Sequence, residues 1–141
     1  SSNPEGARAA IKLIAKFPNY PKIIVTPGMV ELGKQQFEEN RNLGKLIAEN
    51  FDAAVIVNKT NRAALLQGII EVQNPSLRPS DSEGKQSHLS VHLPAQAGAG
   101  HNDVKVFVAD SLDQATKGII PQLVKPNSLI LFENDLPDIY R

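Results

Sequence analysis

Lys22-Ile23-Ile24-Val25-Thr26-Pro27-Gly28-Met29-Val30-Glu31-Leu32-Gly33 is the stretch on which the fold turns. The apolar run Ile23-Ile24-Val25 marks a buried strand over Lys22–Thr26, and Pro27-Gly28 ends it in a turn. A polar, helix-like stretch follows. Strand, turn and helix in this order are how open α/β sheets place ligand-binding loops at the carboxyl ends of their strands.

The pattern repeats in both directions. Upstream, Asn3-Pro4-Glu5 is a helix start: Asn caps, Pro suits the first helical position, and Glu faces the positive end of the dipole. Ala7, Ala10, Ile11 and Ile14 then form a helical stripe, which Pro18 and Pro21 close. Downstream, a helix over Lys34–Asn50 is expected to bury Phe37, Leu43, Leu46 and Ile47. A strand at Ala53–Val57 follows, then a helix from about Asn61 with Leu65, Leu66, Ile69 and Ile70 inward. A third strand, Val104–Val108, leads to the capping box Ser111-Leu112-Asp113-Gln114. The helix it opens carries Leu112, Ala115, Ile119 and Ile120, and Pro121 kinks or shortens it. The last strand is Ser128–Phe132. Strands alternating with helices predict one α/β domain: a doubly wound, mostly parallel, Rossmann-like sheet with helices on both faces.

Gln73–Asp103 departs from this rhythm. It is rich in Pro, Ser, Gly, Gln and Asn and reads as a loop insertion, in which Ser87–Leu93 alternates like an edge strand or hairpin arm.

Composition narrows the function. The 141 residues suffice for one domain with a hydrophobic core. Fifteen basic and fifteen acidic side chains leave no net charge, which disfavours nucleic acid as a partner. The apolar runs are too short to span a bilayer, no signal peptide opens the chain, and no membrane partner is expected. The absence of cysteine excludes disulfides, thiolate metal sites and a cysteine nucleophile, and is compatible with the cytosol.

Three loops carry candidate chemistry. Asn58-Lys59-Thr60 joins a strand to a helix, so backbone N–H groups and a cation converge there on a carboxylate or phosphate. No glycine-rich loop precedes it, which rejects a nucleotide P-loop; the plainer reading makes Thr60 a helix cap and leaves Lys59 in solvent. Thr26-Pro27-Gly28-Met29 either faces a ligand or only turns the chain, and Glu31 contacts substrate or caps the next turn. Glu133, Asp135 and Asp138 follow the last strand, where carboxylates suit an ammonium group or a metal, or form a solvated acidic tail. His88 and His92 have helical i,i+4 spacing but sit on a strand-like segment, roughly 13 Å apart, too far to share an ion. His101 has no partner in sequence, and no Ser–His–Asp order stands out, so neither a metal ligand set nor a catalytic residue is assigned.

The wording of several segments adds to this reading. The opening Ser1-Ser2-Asn3-Pro4-Glu5-Gly6, the loop TPGMVELG at 26–33, Asn42-Leu43-Gly44-Lys45, Val57-Asn58-Lys59-Thr60-Asn61-Arg62 and the ending Leu131-Phe132-Glu133-Asn134-Asp135-Leu136-Pro137-Asp138 together resemble the C-terminal, third domain of the Mur ligases. The likeness spans nearly the whole chain except roughly residues 73–103, and is strongest to the branch that joins D-alanyl-D-alanine to a UDP-N-acetylmuramoyl tripeptide. The chain has Pro-Gly-Met where the family often has Gly-Asp-Met, and acidic residues after the last strand where many relatives have Lys-Gly-Ser.

The resemblance implies a cytoplasmic, ATP-dependent amide ligase of peptidoglycan precursor synthesis, with ATP and Mg2+ held mainly by a central domain. Its partners would be the UDP-N-acetylmuramoyl peptide, D-alanyl-D-alanine, and the N-terminal and central domains of the ligase. This domain would close over ATP and position the incoming amine. Asn3 and Pro4 are the implied nucleotide contacts; Thr26, Gly28, Asn58, Lys59, Thr60, Glu133, Asn134 and Asp135 are the implied substrate contacts. Another amino-acid ligase of the superfamily would share the architecture, and the rival from another class is a stand-alone, non-catalytic doubly wound binding module. A chain opening at Ser1 without Met fits a piece of a longer ligase better than the rival, and the piece alone is expected to be inactive.

Overall fold

The computed structural model describes residues 3–77 and 103–133. A single all-parallel sheet of four strands organises them: β1 (Lys22–Thr26), β2 (Ala53–Val57), β3 (Lys105–Ala109) and β4 (Leu129–Phe132), in the order β3-β2-β1-β4. The chain steps outward from β1 to β2 to β3, then returns to place β4 on the other side of β1. The strand order therefore reverses between β1 and β4, the place where doubly wound sheets open a crevice.

Helices cover both faces, as the alternation of strands and helices requires. On one face lie α1 (Pro4–Ile14), α2 (Gln36–Asn50) and α3 (Arg62–Gln73), packed over Ile24, Ala54 and Ile56. On the other, α4 (Leu112–Gln114), a π-helical turn (Ala115–Ile119) and α5 (Ile120–Leu123) cover Ile23, Val25, Ala53, Val55 and Val57. Every residue of β1 and β2 is buried, which is why β2 and the centre of β1, Ile23–Val25, read as continuous apolar runs rather than as alternating strands.

The helix starts were only partly legible. Asn3 caps α1 as expected, its side-chain oxygen accepting from the backbone N–H groups of Glu5 and Gly6 at 3.0 and 3.1 Å. A 3-10 turn at Gly33–Gln35 delays α2 to Gln36, and Phe37 is not buried but 55% exposed. It sits one position off the inward line Gln36–Asn40–Leu43–Ile47. The helix after β2 begins at Arg62 with Asn61 at its cap position, and Thr60 does not cap it. The Ser111 hydroxyl accepts from the Gln114 N–H at 3.0 Å, but the Gln114 side chain returns to the N–H of Asp110 rather than to that of Ser111. Pro121, which has no N–H to give, follows the π-helical turn and divides the segment as expected.

The crossing of α2 and α3 is unusually close. A Cβ on Gly44 would strike the Leu65 carbonyl oxygen, and one on Gly68 the Arg41 carbonyl oxygen. Gly44, part of a segment that carried the resemblance, thus has a packing role. Beside the crossing, the fully buried Glu71 accepts from Arg41 Nε at 2.9 Å and Gln67 Nε2 at 2.6 Å, with Lys45 Nζ at 3.6 Å. Burial alone would push the Glu71 carboxyl up, but these hydrogen bonds and the Arg41 and Lys45 charges outweigh it and hold the group below its ordinary value. The alternating segment Ser87–Leu93 and the three histidines lie outside the described residues.

Candidate functional site

Because all four strands are parallel, the loops after β1, β2, β3 and β4 emerge on one edge of the sheet. Thr26-Pro27-Gly28 follows β1, Asn58-Lys59-Thr60 follows β2, Asp110 and Ser111 follow β3, and Glu133 follows β4. Lys59 and Glu133 stand on the same edge, on strands separated only by β1, hence roughly 10 Å apart at the strand ends. The α1 start joins them: Arg8 reaches Glu39 near the start of α2 at 3.9 Å, which brings Asn3 and Pro4 to the carboxyl edge. Asn134, Asp135 and Asp138 lie outside the described residues.

The β1 loop is fixed from within. The Thr26 hydroxyl is buried and accepts from the Gly28 N–H at 2.9 Å, so this side chain shapes the turn. Gly28 has φ +83°, and a Cβ there would sit 2.7 Å from Asn40 Oδ1 and from Asn61 Cβ, so both backbone and space require glycine. Asn40 is wholly buried and grips Met29 twice, accepting from its N–H at 2.7 Å and donating to its carbonyl at 2.9 Å. Glu31 is exposed with φ +65°, and it makes no capping bond to the 3-10 turn that follows.

The β2 loop presents the cations. Asn58, at φ +72°, donates its backbone N–H to the Ala109 carbonyl at 2.8 Å, extending the sheet by one step and turning Lys59 and Thr60 into solvent. That N–H is therefore spent inside the protein. Arg62, in the first turn of α3, is the residue that sequence reasoning missed. Its Nε and Nη2 are buried without a hydrogen-bond partner, and Asp110 Oδ1 stands 4.0 Å from Nη2, beyond hydrogen-bond reach. A cation in the first turn works against the helix dipole, and that signal was present in the sequence. Arg62 thus forms a loose ion pair with Asp110, and with the exposed Lys59 it makes this end of the sheet a cationic one.

A groove of about 430 Å³ opens at the opposite, amino end of the sheet, lined among others by Tyr20, Ile23, Asp52, Lys105, Leu123 and Lys125. It mixes acids and bases without a convergent set. Asp52 is already used, accepting from the Lys22 N–H at 2.9 Å. We therefore place the candidate site at the carboxyl edge, where loop order, cations and a carboxylate come together.

No protein-family model matches the chain, and no curated protein matches it either. Among the described residues, no three His, Asp or Glu side chains come together to hold a metal ion, and no helix is long and apolar enough to cross a membrane.

Proposed function

We propose that this chain is the C-terminal domain of an ATP-dependent Mur-type amide ligase, and that its carboxyl edge positions D-alanyl-D-alanine for ligation to a UDP-N-acetylmuramoyl tripeptide. The observation that carries the reading is the presence of two cations, Lys59 and Arg62, after β2 on the same sheet edge as Glu133 after β4. A dipeptide zwitterion has a carboxylate for Lys59 and Arg62 and an ammonium for Glu133. Its backbone spans about 7 Å, and the long side chains of Lys59 and Glu133 bridge the remaining gap between the strand ends. The wording of TPGMVELG and of the segments around it supports the same family.

In such a ligase, ATP phosphorylates the tripeptide carboxylate, the dipeptide amine displaces the phosphate, and an amide forms. The chain has no P-loop, and the reading assigns ATP, Mg2+ and the phosphate chemistry mainly to the central domain. What this domain contributes is orientation of the amine and exclusion of water as it closes. Asn3 and Pro4 at the α1 start face the nucleotide in that arrangement, although the Asn3 side chain is largely used in capping. Substrates carried on a uridine nucleotide and driven by ATP place the enzyme in the cytoplasm.

The test is the full-length gene product, assayed with ATP, UDP-N-acetylmuramoyl tripeptide and D-alanyl-D-alanine. Amide and ADP should form together and only with all three substrates, and the highly purified 141-residue chain should do neither. Absence of amide from the full-length product, or ATP turnover by the isolated chain that Lys59→Ala abolishes, would overturn the reading.

A further inference from the structure

Between the two loops runs a chain of side-chain amides with a fixed polarity. Gln36 Nε2, on the first turn of α2, donates to Asn61 Oδ1 at 2.9 Å. Asn61 Nδ2 donates in turn to the Pro27 carbonyl at 3.1 Å. Asn61 is buried, and it directly follows Lys59-Thr60 and precedes Arg62. Pro27 offers only an acceptor here, so the Asn61 amide has one usable orientation, and that orientation dictates how Gln36 must point. The remaining Gln36 oxygen faces the Leu32 N–H, at the longer distance of 3.5 Å.

We propose that Gln36 and Asn61 are positioning residues that lock the β2 loop to the β1 loop, holding Lys59 and Arg62 in fixed register with Thr26–Gly28. This role rests on the reading of the carboxyl edge as the amine-substrate site. Neither residue touches the substrate; each acts through the loop it holds. The fold itself does not need the bridge to connect these loops, because β1 and β2 are already paired from Ile23↔Ala53 to Thr26↔Ile56. What the ladder leaves undetermined is the course of the chain beyond Asn58, whose N–H still pairs with the Ala109 carbonyl and which turns through a left-handed conformation. From there to Arg62, Asn61 is the buried anchor. Preorganising a charged loop in this way raises affinity by removing the ordering cost of binding.

The amide polarity supplies a near-isosteric test. Gln36→Glu keeps size and shape but replaces the donor to Asn61 with an acceptor, and at this partly exposed position the carboxylate remains hydrated. In the full-length ligase, Gln36→Glu should raise the Michaelis constant for the dipeptide about fivefold, the loss of roughly one hydrogen bond, while kcat and the Michaelis constant for ATP stay within about twofold. In the 141-residue chain, amide exchange across Asn58–Arg62, read by NMR, should accelerate, while exchange of the β1 and β2 ladder amides is unchanged. Gln36→Met removes the donor without introducing a charge and should repeat both effects. Unchanged exchange across Asn58–Arg62 in both variants would overturn the bridge whatever the enzyme does. If exchange accelerates but the dipeptide constant does not move, the positioning role is overturned although the bridge stands. If the unmutated ligase makes no amide, the functional reading fails by itself, and the exchange result alone decides the bridge.

Discussion

Glu71 on α3 is completely buried and accepts a hydrogen bond from Arg41 on α2 at 2.9 Å, beside a crossing so close that two glycines are needed to form it. Lys45, one turn along α2 from Arg41, faces the other carboxylate oxygen at 3.6 Å. A carboxylate at such a place is tolerated only while its partners remain, because an uncompensated buried charge is strongly unfavourable.

Removing the strongest partner should therefore cost more than removing the acid. Arg41→Ala leaves the buried Glu71 with only Lys45 at 3.6 Å and the neutral Gln67 donor, and should lower unfolding free energy by about 3 kcal/mol, near the lower end for a broken buried pair. Glu71→Gln should cost less, since Arg41 and Lys45 keep partial access to water. Urea unfolding of the two variants at neutral pH checks the order.

The same pair predicts an acid limb. The folded Glu71 carboxyl is held below its ordinary value of 4.5. A lowered folded value stabilises fully above the unfolded value and is lost as pH falls through the folded one. The stability difference between the wild type and Glu71→Gln should thus be flat from about pH 7 to pH 5 and close progressively below about pH 4.5. A difference that grows with acidification would contradict the ion-pair account.

Glycine substitutions should split in sign. Alanine is intrinsically better than glycine in a helix by about 1 kcal/mol. At Gly44 and Gly68 the added Cβ meets backbone, the Leu65 and Arg41 carbonyls respectively, which no side-chain rotation relieves. Both Gly→Ala changes should destabilise, by about 2 kcal/mol or more after the propensity gain. At Gly118 a Cβ meets nothing within 4 Å, and the change should stabilise by about 0.5 kcal/mol. Melting temperatures of the three variants provide the comparison.

These positions also explain what the sequence could and could not reveal. β1 and β2 were readable to the residue, because strands buried on both faces carry a continuous apolar run, here Ile23–Val25 closed by Pro27-Gly28 and Ala53–Val57. β3 was displaced by one: Val104 is apolar and buried, but its N–H goes to the Gln73 side chain at 2.7 Å, and the strand begins at Lys105. Phe37 misled because hydrophobicity alone does not reveal the 3-10 turn that sets the rotation of α2. The edge loops were legible through Pro, Gly and Asn, which punctuate strand ends. Asn40, Asn61 and Glu71 were not identified, since a polar side chain becomes a core residue only through partners distant in sequence. Asn40 nevertheless left a trace, falling on the helical line of Leu43, Gly44 and Ile47, where a solvent-facing residue has no place.

The carboxyl edge gives the decisive kinetic prediction. If Lys59 and Arg62 hold the dipeptide carboxylate and Glu133 its ammonium, Lys59→Ala, Arg62→Ala and Glu133→Gln in the full-length ligase should each raise the Michaelis constant for the dipeptide. A lost charge-assisted contact of about 1.5–3 kcal/mol corresponds to roughly ten- to a hundred-fold in binding. On the same reading the constant for ATP should stay nearly unchanged, since the phosphates are assigned to the central domain. Arg62→Ala should act in the same direction, and because Arg62 Nη2 also lies 4.0 Å from Asp110 Oδ1, Asp110→Asn serves as the control that separates a lost substrate contact from a lost ion pair. Arg62→Lys should recover little, because an ammonium cannot reproduce a planar fork. Varying each substrate in turn separates the outcomes. Equal effects on ATP and dipeptide would mean that domain closure is impaired, and a normal dipeptide constant in Arg62→Ala would return that residue to a structural tie with Asp110.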